Sequence, residues 1–127
     1  MSNQPEPVTV FEAAGGQPAF ERIIDRFYTG IESDALLRPM YPADLTESRR
    51  HMVLFLMQYF GGPGTYSQER GHPRLRMRHA PYAIGVPERD AWMQHMASAV
   101  KAEGLAPQVE AIMMEYFERA ATFMMNR

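Results

Sequence analysis

His79 closes the most basic stretch of a chain whose net charge is -2, and it is the residue best placed to do chemistry. The stretch runs Tyr66-Ser-Gln-Glu-Arg-Gly-His-Pro-Arg-Leu-Arg-Met-Arg-His79-Ala-Pro-Tyr82. Gly- and Pro-punctuated sequence precedes the histidine and Pro81 follows it, so at most two helical turns can carry it. If residues 74–80 are helical, Leu75 and His79 share one face, and Arg74 and Arg78 share an adjacent one. His79 then points into the fold beside an apolar neighbour, with guanidinium groups at its edge. A neutral imidazole ringed by cations suits a metal carried by an anionic organic ligand, and haem has that character.

The other histidines are His51, His72 and His95, and no HExxH or other close ligand pair joins them. A multi-histidine zinc or iron site is therefore not expected. A haem brings its own four nitrogens and needs one axial imidazole from the protein. Taken alone, a histidine so placed is more often a surface or capping residue, so the reading of His79 leans on its surroundings. Among these are three aromatic donors: Tyr28 and Trp92 on apolar helical stripes, and Tyr41 at a corner before Pro42. An O–H or N–H beside a partly negative ligand on iron stabilises it. The alternative for each is a core aromatic with its polar tip satisfied elsewhere. His51 precedes Met52, about 100° from that residue's face of an ideal helix, and is expected at the surface or the rim. Arg70, Arg74, Arg76 and Arg78 spread around a helix axis, which weakens a flat nucleic-acid surface. Ion pairs from Arg74 or Arg78 to haem propionates are the more specific alternative.

Helices must position these groups. Residues 1–10 read as a disordered leader, and residues 11–127 as a single domain. Phe11 to Ala14 forms a short helix stopped by Gly15-Gly16. From Pro18, the positions Phe20, Ile23, Ile24, Phe27, Tyr28 and Ile31 repeat at helical spacing over three turns. A short turn over Asp34 to Arg38 ends at Pro39, and Tyr41-Pro42 makes an extended corner. Asp44 and Glu47 resemble a capping box before a helix with Met52, Phe55, Leu56 and Tyr59 on one stripe, closed by Gly61-Gly62. Residues 61–73 read as loop. Pro87 opens a helix with Trp92, Met96, Ala99 and Val100 inward. Pro107 opens the last, with Val109, Ile112, Met113, Tyr116, Phe117, Ala120 and Met124 at helical spacing. No alternating strand pattern exists, so the fold class is all-α.

Composition bounds the function. A chain of 127 residues, 46% hydrophobic and 22% charged, reads as one globular domain able to bury a core without staples. The absence of cysteine excludes disulfides, thiolate zinc sites, iron–sulfur clusters and a cysteine nucleophile. Net charge gives no general case for nucleic acid. No apolar run approaches the ~20 residues that span a bilayer. No signal peptide is visible, and a cytoplasmic location is expected.

The ordered set of landmarks resembles the truncated haemoglobin family, and within it group II. The landmarks are Gly15-Gly16, Phe27-Tyr28, Leu37-Arg-Pro-Met-Tyr-Pro42, Gln58-Tyr-Phe-Gly-Gly-Pro63 and Tyr66-Ser67. They continue with Arg70-Gly-His-Pro-Arg-Leu-Arg-Met-Arg-His79-Ala-Pro and Arg89-Asp-Ala-Trp92. The glycine pairs alone are weak signals, whereas the segment ending in His79 is specific. The resemblance spans about Phe11 to Met124. It implies a two-over-two helical sandwich holding haem b, with His79 as the proximal iron ligand. It implies a distal hydrogen-bonding network of Tyr28, Tyr41 and Trp92, and a distal wall of Met52, Phe55 and Leu56. It puts Tyr66, His72, Arg74 and Arg78 at the haem edge and propionates, and Leu75, Tyr82 and Val86 near the porphyrin. Met52 stands where leucine is common, and Ser48 where a small apolar residue is expected.

The expected function is reversible binding of O2, CO, NO or another small ligand at ferrous iron. Three donors around one ligand imply slow O2 release, which favours redox chemistry such as nitric oxide detoxification or peroxidase-like activity over bulk oxygen transport. No flavin or nicotinamide motif is present, so turnover implies a separate reductase. The alternatives are a non-catalytic ligand sensor or store that signals to a partner, and a haem-free helical interaction module. A second copy of the chain is an open partner.

Overall fold

The computed structural model describes residues 8–127, so most of the expected leader lies outside the described residues, and Val10 already opens a helix. Among the described residues the chain is all-α, with α1 (Val10–Ala14), α2 (Gly16–Glu32), α3 (Thr46–Tyr59), α4 (Thr65–Arg70), α5 (Leu75–His79), α6 (Val86–Lys101) and α7 (Pro107–Phe123). No helix among them is long and apolar enough to cross a membrane. α2 packs on α3 and α6, and α6 packs on α7, so the α2/α3 pair lies over the α6/α7 pair in the expected two-over-two sandwich.

α2 is the spine. Ala19, Phe20, Ile23, Ile24, Phe27, Tyr28 and Ile31 are all buried, as a 3.6-residue repeat requires of a helix covered on one face by two others. Burying each of the larger apolar side chains stabilises the fold by about 1.5–3 kcal/mol. Met96 and Val100 of α6 and Met113 and Phe117 of α7 close the same core. Ile112, expected on the inner stripe of α7, is instead half exposed. The inward face runs through Val109, Met113, Phe117 and Ala121, and Ile112 falls outside it. Midway along α2, Arg22 and Arg26 donate to Glu103 at 2.6 and 2.8 Å, tying the turn just beyond α6 back to the spine.

Three connections differ from the expectations drawn from the sequence. Pro39 does not end a turn; it sits inside a 3-10 segment, Arg38–Met40, where its fixed φ is compatible and its missing N–H leaves no gap. Asp44 does accept from the Thr46 N–H at 2.9 Å, but Glu47 does not reciprocate, since its carboxylate turns toward Arg50 and His51. The expected loop over residues 61–73 contains α4. Its first turn is held by Gln58, whose side chain accepts from the Ser67 N–H at 2.9 Å and donates to the Ser67 hydroxyl at 2.7 Å. That clamp comes from nine residues upstream, and it sets Tyr66 into the core, 3% exposed.

The glycine pair after α3 lets the chain turn tightly against α1. A Cβ on Gly62 would lie 2.8 Å from the Met57 carbonyl and 2.9 Å from the Phe11 ring. At the other end, Asn126 clamps the segment before α6. Its side chain accepts from Ile84 N–H at 2.9 Å and donates to the Tyr82 carbonyl at 2.7 Å.

Candidate functional site

Between the two helix pairs lies a cavity of about 310 Å³, within the size range of cofactor pockets. α5 supplies one wall with Leu75, Arg78 and His79, and Tyr82 and Ile84 continue it. The His79 Nδ1 stands 2.6 Å from the Leu75 carbonyl. A carbonyl only accepts, so Nδ1 carries the hydrogen and the Nε2 lone pair of the neutral ring is free to bind a metal. That hydrogen bond, one helical turn long, fixes the ring orientation in the way metal-binding histidines are usually held. Among the described residues no three His, Asp or Glu side chains gather to hold a metal ion unaided. A metal bound by His79 must bring its other ligands.

The opposite wall comes from α2, the 3-10 corner, α3 and α6. Tyr28, Tyr41 and Trp92 all line the cavity, joined by Met52, Phe55 and Leu56. Their rings interlock: Tyr28 and Tyr41 meet edge to face at 5.8 Å, and Trp92 packs on Phe27 at 5.3 Å. Burial pushes the Tyr28 phenol well above its usual range, the neighbouring Tyr41 adds to this, and Arg49 over the ring opposes it. Burial likewise pushes Tyr41 up to about 12 against the pull of the Trp92 indole. Both phenols therefore stay protonated donors across the neutral range. No described buried side-chain polar atom is sealed away without a partner. Tyr28, Tyr41 and Trp92 all belong to the cavity lining, and the indole N–H lies close enough to the Tyr41 oxygen to favour its ionised form. Buried donors seek acceptors, and neutral donors gathered at one wall suit an acceptor ligand.

Ser48 and His51 also line this wall. The cavity face of α3 runs through residues 48, 51, 52, 55 and 56, the i, i+3, i+4, i+7, i+8 pattern, and it includes His51. His51 thus sits at the rim, one of its two expected places, and still contributes to the lining. Arg70 donates to its Nδ1 at 2.9 Å, so the ring proton sits on Nε2, 3.4 Å from Glu47. Burial, and then the Arg70 charge, hold the His51 pKa below its ordinary value. As pH falls below the ordinary histidine range the unfolded chain takes up this proton first, so stability falls with pH down to the lowered folded-state pKa. Replacing Arg70 with Leu should raise the His51 pKa part of the way back and narrow that window. An NMR titration of the ring checks this, and an unmoved pKa would remove Arg70 as a cause.

Tyr66 joins the lining beneath Phe55, their rings 5.3 Å apart. His72, Arg74 and Val86 do not line the cavity. Arg74 lies before α5 in a left-handed conformation, φ 48°, with its N–H donated to His72 Nδ1 at 3.1 Å. Both side chains are consequently exposed on a turn, and Arg74 shares no helix face with Arg78. Val86 opens α6 at 57% exposure, and Ile84 takes the inward place expected of it. From sequence alone α7 reads only as core. Yet Tyr116, Phe117, Ala120, Ala121 and Met124 wall one side of the cavity. The two alanines at the inward end of an otherwise bulky stripe are the one signal in the chain that room is left there.

Besides Arg89, which is ion-paired with Asp90, the cations lining the cavity are Arg70 and Arg78. Arg78 anchors its Nε on the Pro73 carbonyl at 2.9 Å, leaving both terminal nitrogens free. Neither has a carboxylate within 4.0 Å among the described residues, whereas Arg22, Arg26, Arg49, Arg50 and Arg89 all do. A largely apolar cavity with an imidazole oriented by a backbone carbonyl, cations without carboxylate partners at its mouth and neutral donors opposite is a chemical fit for haem.

Comparison with known proteins points the same way. A family model described as bacterial-like globin matches residues 9–126. The chain is 38% identical over 112 residues to group 2 truncated hemoglobin YjbI of Bacillus subtilis, covering 88% of this chain and 85% of that one. The hemoglobin of the thermophilic phototroph Chloroflexus aurantiacus superposes with a TM-score of 0.94 at 53% identity, over 95% of this chain and all of that one. The structure of a truncated oxygen-avid haemoglobin from Bacillus subtilis gives a TM-score of 0.89 at 38% identity, over 94% and 100%.

Proposed function

This chain belongs to the bacterial-like globins, as a group II truncated haemoglobin with haem as its cofactor, and from that membership we propose that it holds a bound diatomic ligand tightly enough for redox chemistry on it. Bound haem supplies an iron that takes a small diatomic ligand and exchanges one electron at a time. His79 would hold the iron through Nε2, with the Leu75 carbonyl setting its ring. Tyr28, Tyr41 and Trp92 would donate hydrogen bonds to the ligand from the far wall. Arg70 and Arg78 would neutralise the propionates, and Met52, Phe55 and Leu56 would exclude water from the ligand.

One observation carries the reading: three neutral donors from three different elements line the cavity that the free nitrogen of His79 shares. A donor to a partly charged acceptor contributes about 1.5–3 kcal/mol, and several around one ligand slow its escape. The solved Bacillus subtilis relative is described as oxygen-avid, which supports the same direction. Slow release suits nitric oxide detoxification or peroxidase-like turnover, with electrons from a separate reductase. Retention alone would suit a ligand store or sensor, and the avidity favours that as the second reading.

Rapid mixing separates the two. Reduced, O2-loaded protein mixed with nitric oxide should yield nitrate in equal amount to the ferric protein formed, faster than O2 is released. Loss of O2 at its own release rate, with no nitrate, would leave storage or sensing as the function.

A further inference from the structure

The proposed ligand contacts leave unused a part-buried polar junction, His95 with Asp34, that joins the three donor-bearing elements. His95 lies one turn beyond Trp92 on α6. Its ring rests against α2 at Gly30, where a Cβ would fall 2.4 Å from Nδ1, so only glycine admits it. Gly30 lies in the last turn of α2, and the close approach is its physical reason. The His95 Nε2 donates to Asp34 Oδ2 at 2.7 Å. The other carboxylate oxygen accepts from the Leu36 and Leu37 N–H groups at 2.9 and 3.2 Å. The His95 hydrogen bond holds the Asp34 carboxyl below its usual range, with the two backbone donors adding to it.

Asp34 therefore fastens α6 to the turn that leaves α2. That turn runs directly into the corner carrying Tyr41. The Asp34 carbonyl accepts from Arg38 N–H at 2.8 Å, and the Arg38 guanidinium grips the carbonyls of Tyr41, Pro42 and Ala43. Leu37 and Met40, between them, line the cavity. Tyr28 stands two residues before Gly30 on α2. An ordinary helix-to-turn staple would explain the bonds but not why they meet where the three donor-bearing elements converge.

We propose that His95 is a positioning residue, which through Asp34 sets Trp92 and Tyr41 relative to one another and so sets the hydrogen bonding that the cavity offers its ligand. This rests on the reading of Trp92 and Tyr41 as ligand donors. Trp92 is the only tryptophan in the chain, so its indole N–H gives a single signal in a proton–nitrogen NMR spectrum. In reduced, CO-bound holoprotein, His95→Ala should shift that signal and speed exchange of the indole hydrogen by about tenfold or more through local opening. The C–O stretch should move toward its value in Trp92→Phe. His95→Gln, whose amide can still donate to Asp34, should restore both. A lower melting temperature with the indole signal, its exchange and the C–O stretch unchanged would overturn the proposal and leave a staple. If Trp92→Phe itself does not move the stretch, the donor reading of Trp92 fails. The indole signal then decides on its own: movement in His95→Ala supports positioning, and no movement overturns it.

Discussion

His79→Gly is expected to remove the histidine-ligated absorption signature of the protein and to weaken haem binding by more than the 10–100-fold typical of losing an outer-shell partner. His79 is the last residue of α5, and its side chain bonds only to Leu75, one turn back within the same helix. Little outside that helix depends on it, so far-UV circular dichroism should show the helices retained. The missing ring leaves a space of imidazole shape on the cavity wall. Added imidazole should therefore restore the spectrum in the Gly variant without a covalent link. A variant that keeps the wild-type ferric, ferrous and CO spectra would remove His79 from the iron. No other histidine is a ready substitute: His72 lies on an exposed turn, His95 is bound to Asp34, and His51 offers the cavity a ring whose Nδ1 is taken by Arg70.

Trp92→Phe should speed O2 release by about tenfold to a hundredfold, since a hydrogen bond to a partly charged acceptor contributes about 1.5–3 kcal/mol and each 1.4 kcal/mol is tenfold. The substitution isolates the indole N–H. A phenyl ring keeps the contacts to Phe27 and Phe117, whose centroids lie 5.3 and 6.0 Å away. Flash photolysis and stopped-flow displacement of O2 by CO measure the rate. Tyr28→Phe and Tyr41→Phe, each losing one hydroxyl from the same wall, provide the comparison. Acceleration in the tyrosine variants but not in Trp92→Phe would make the indole a packing residue and the phenols the donors. The effects of the three are not expected to add, because the Tyr28 and Tyr41 rings touch, the Trp92 indole bonds toward Tyr41, and one donor can move to cover another's loss.

Much of the architecture is legible in the amino-acid sequence. The repeat from Phe20 to Ile31 marks α2, and the stripes of α3, α6 and α7 mark the rest. Helical periodicity is a local consequence of 3.6 residues per turn, and a buried face must be apolar whatever lies opposite. His79 stands out for equally local reasons: a short segment between Gly and Pro, an apolar residue four positions back, and three arginines in the five residues before it. The donors Tyr28, Tyr41 and Trp92 are legible only as aromatics with polar tips, and it is the family resemblance that groups them.

What the sequence by itself determined was which segments are helical, which faces are buried and which residue types could do chemistry. Tertiary structure decided what those residues meet. α4 reads as loop in the sequence because its first turn depends on Gln58 across a glycine-rich turn, not on its own propensity. Arg74 reads as helical because a left-handed arginine has no local signature, and the place expected of His72 shifts with it. The α7 wall of the cavity and the rim place of His51 follow from how wide a face each helix presents to its neighbours. The junction of Gly30, Asp34 and His95 shows the division most clearly. Gly30, in the last turn of α2, carries no signal in the chain of what it packs against, and its partner ring lies 65 positions away in sequence. Local geometry is written in spacing, whereas a contact between distant residues exists only once the helices have packed.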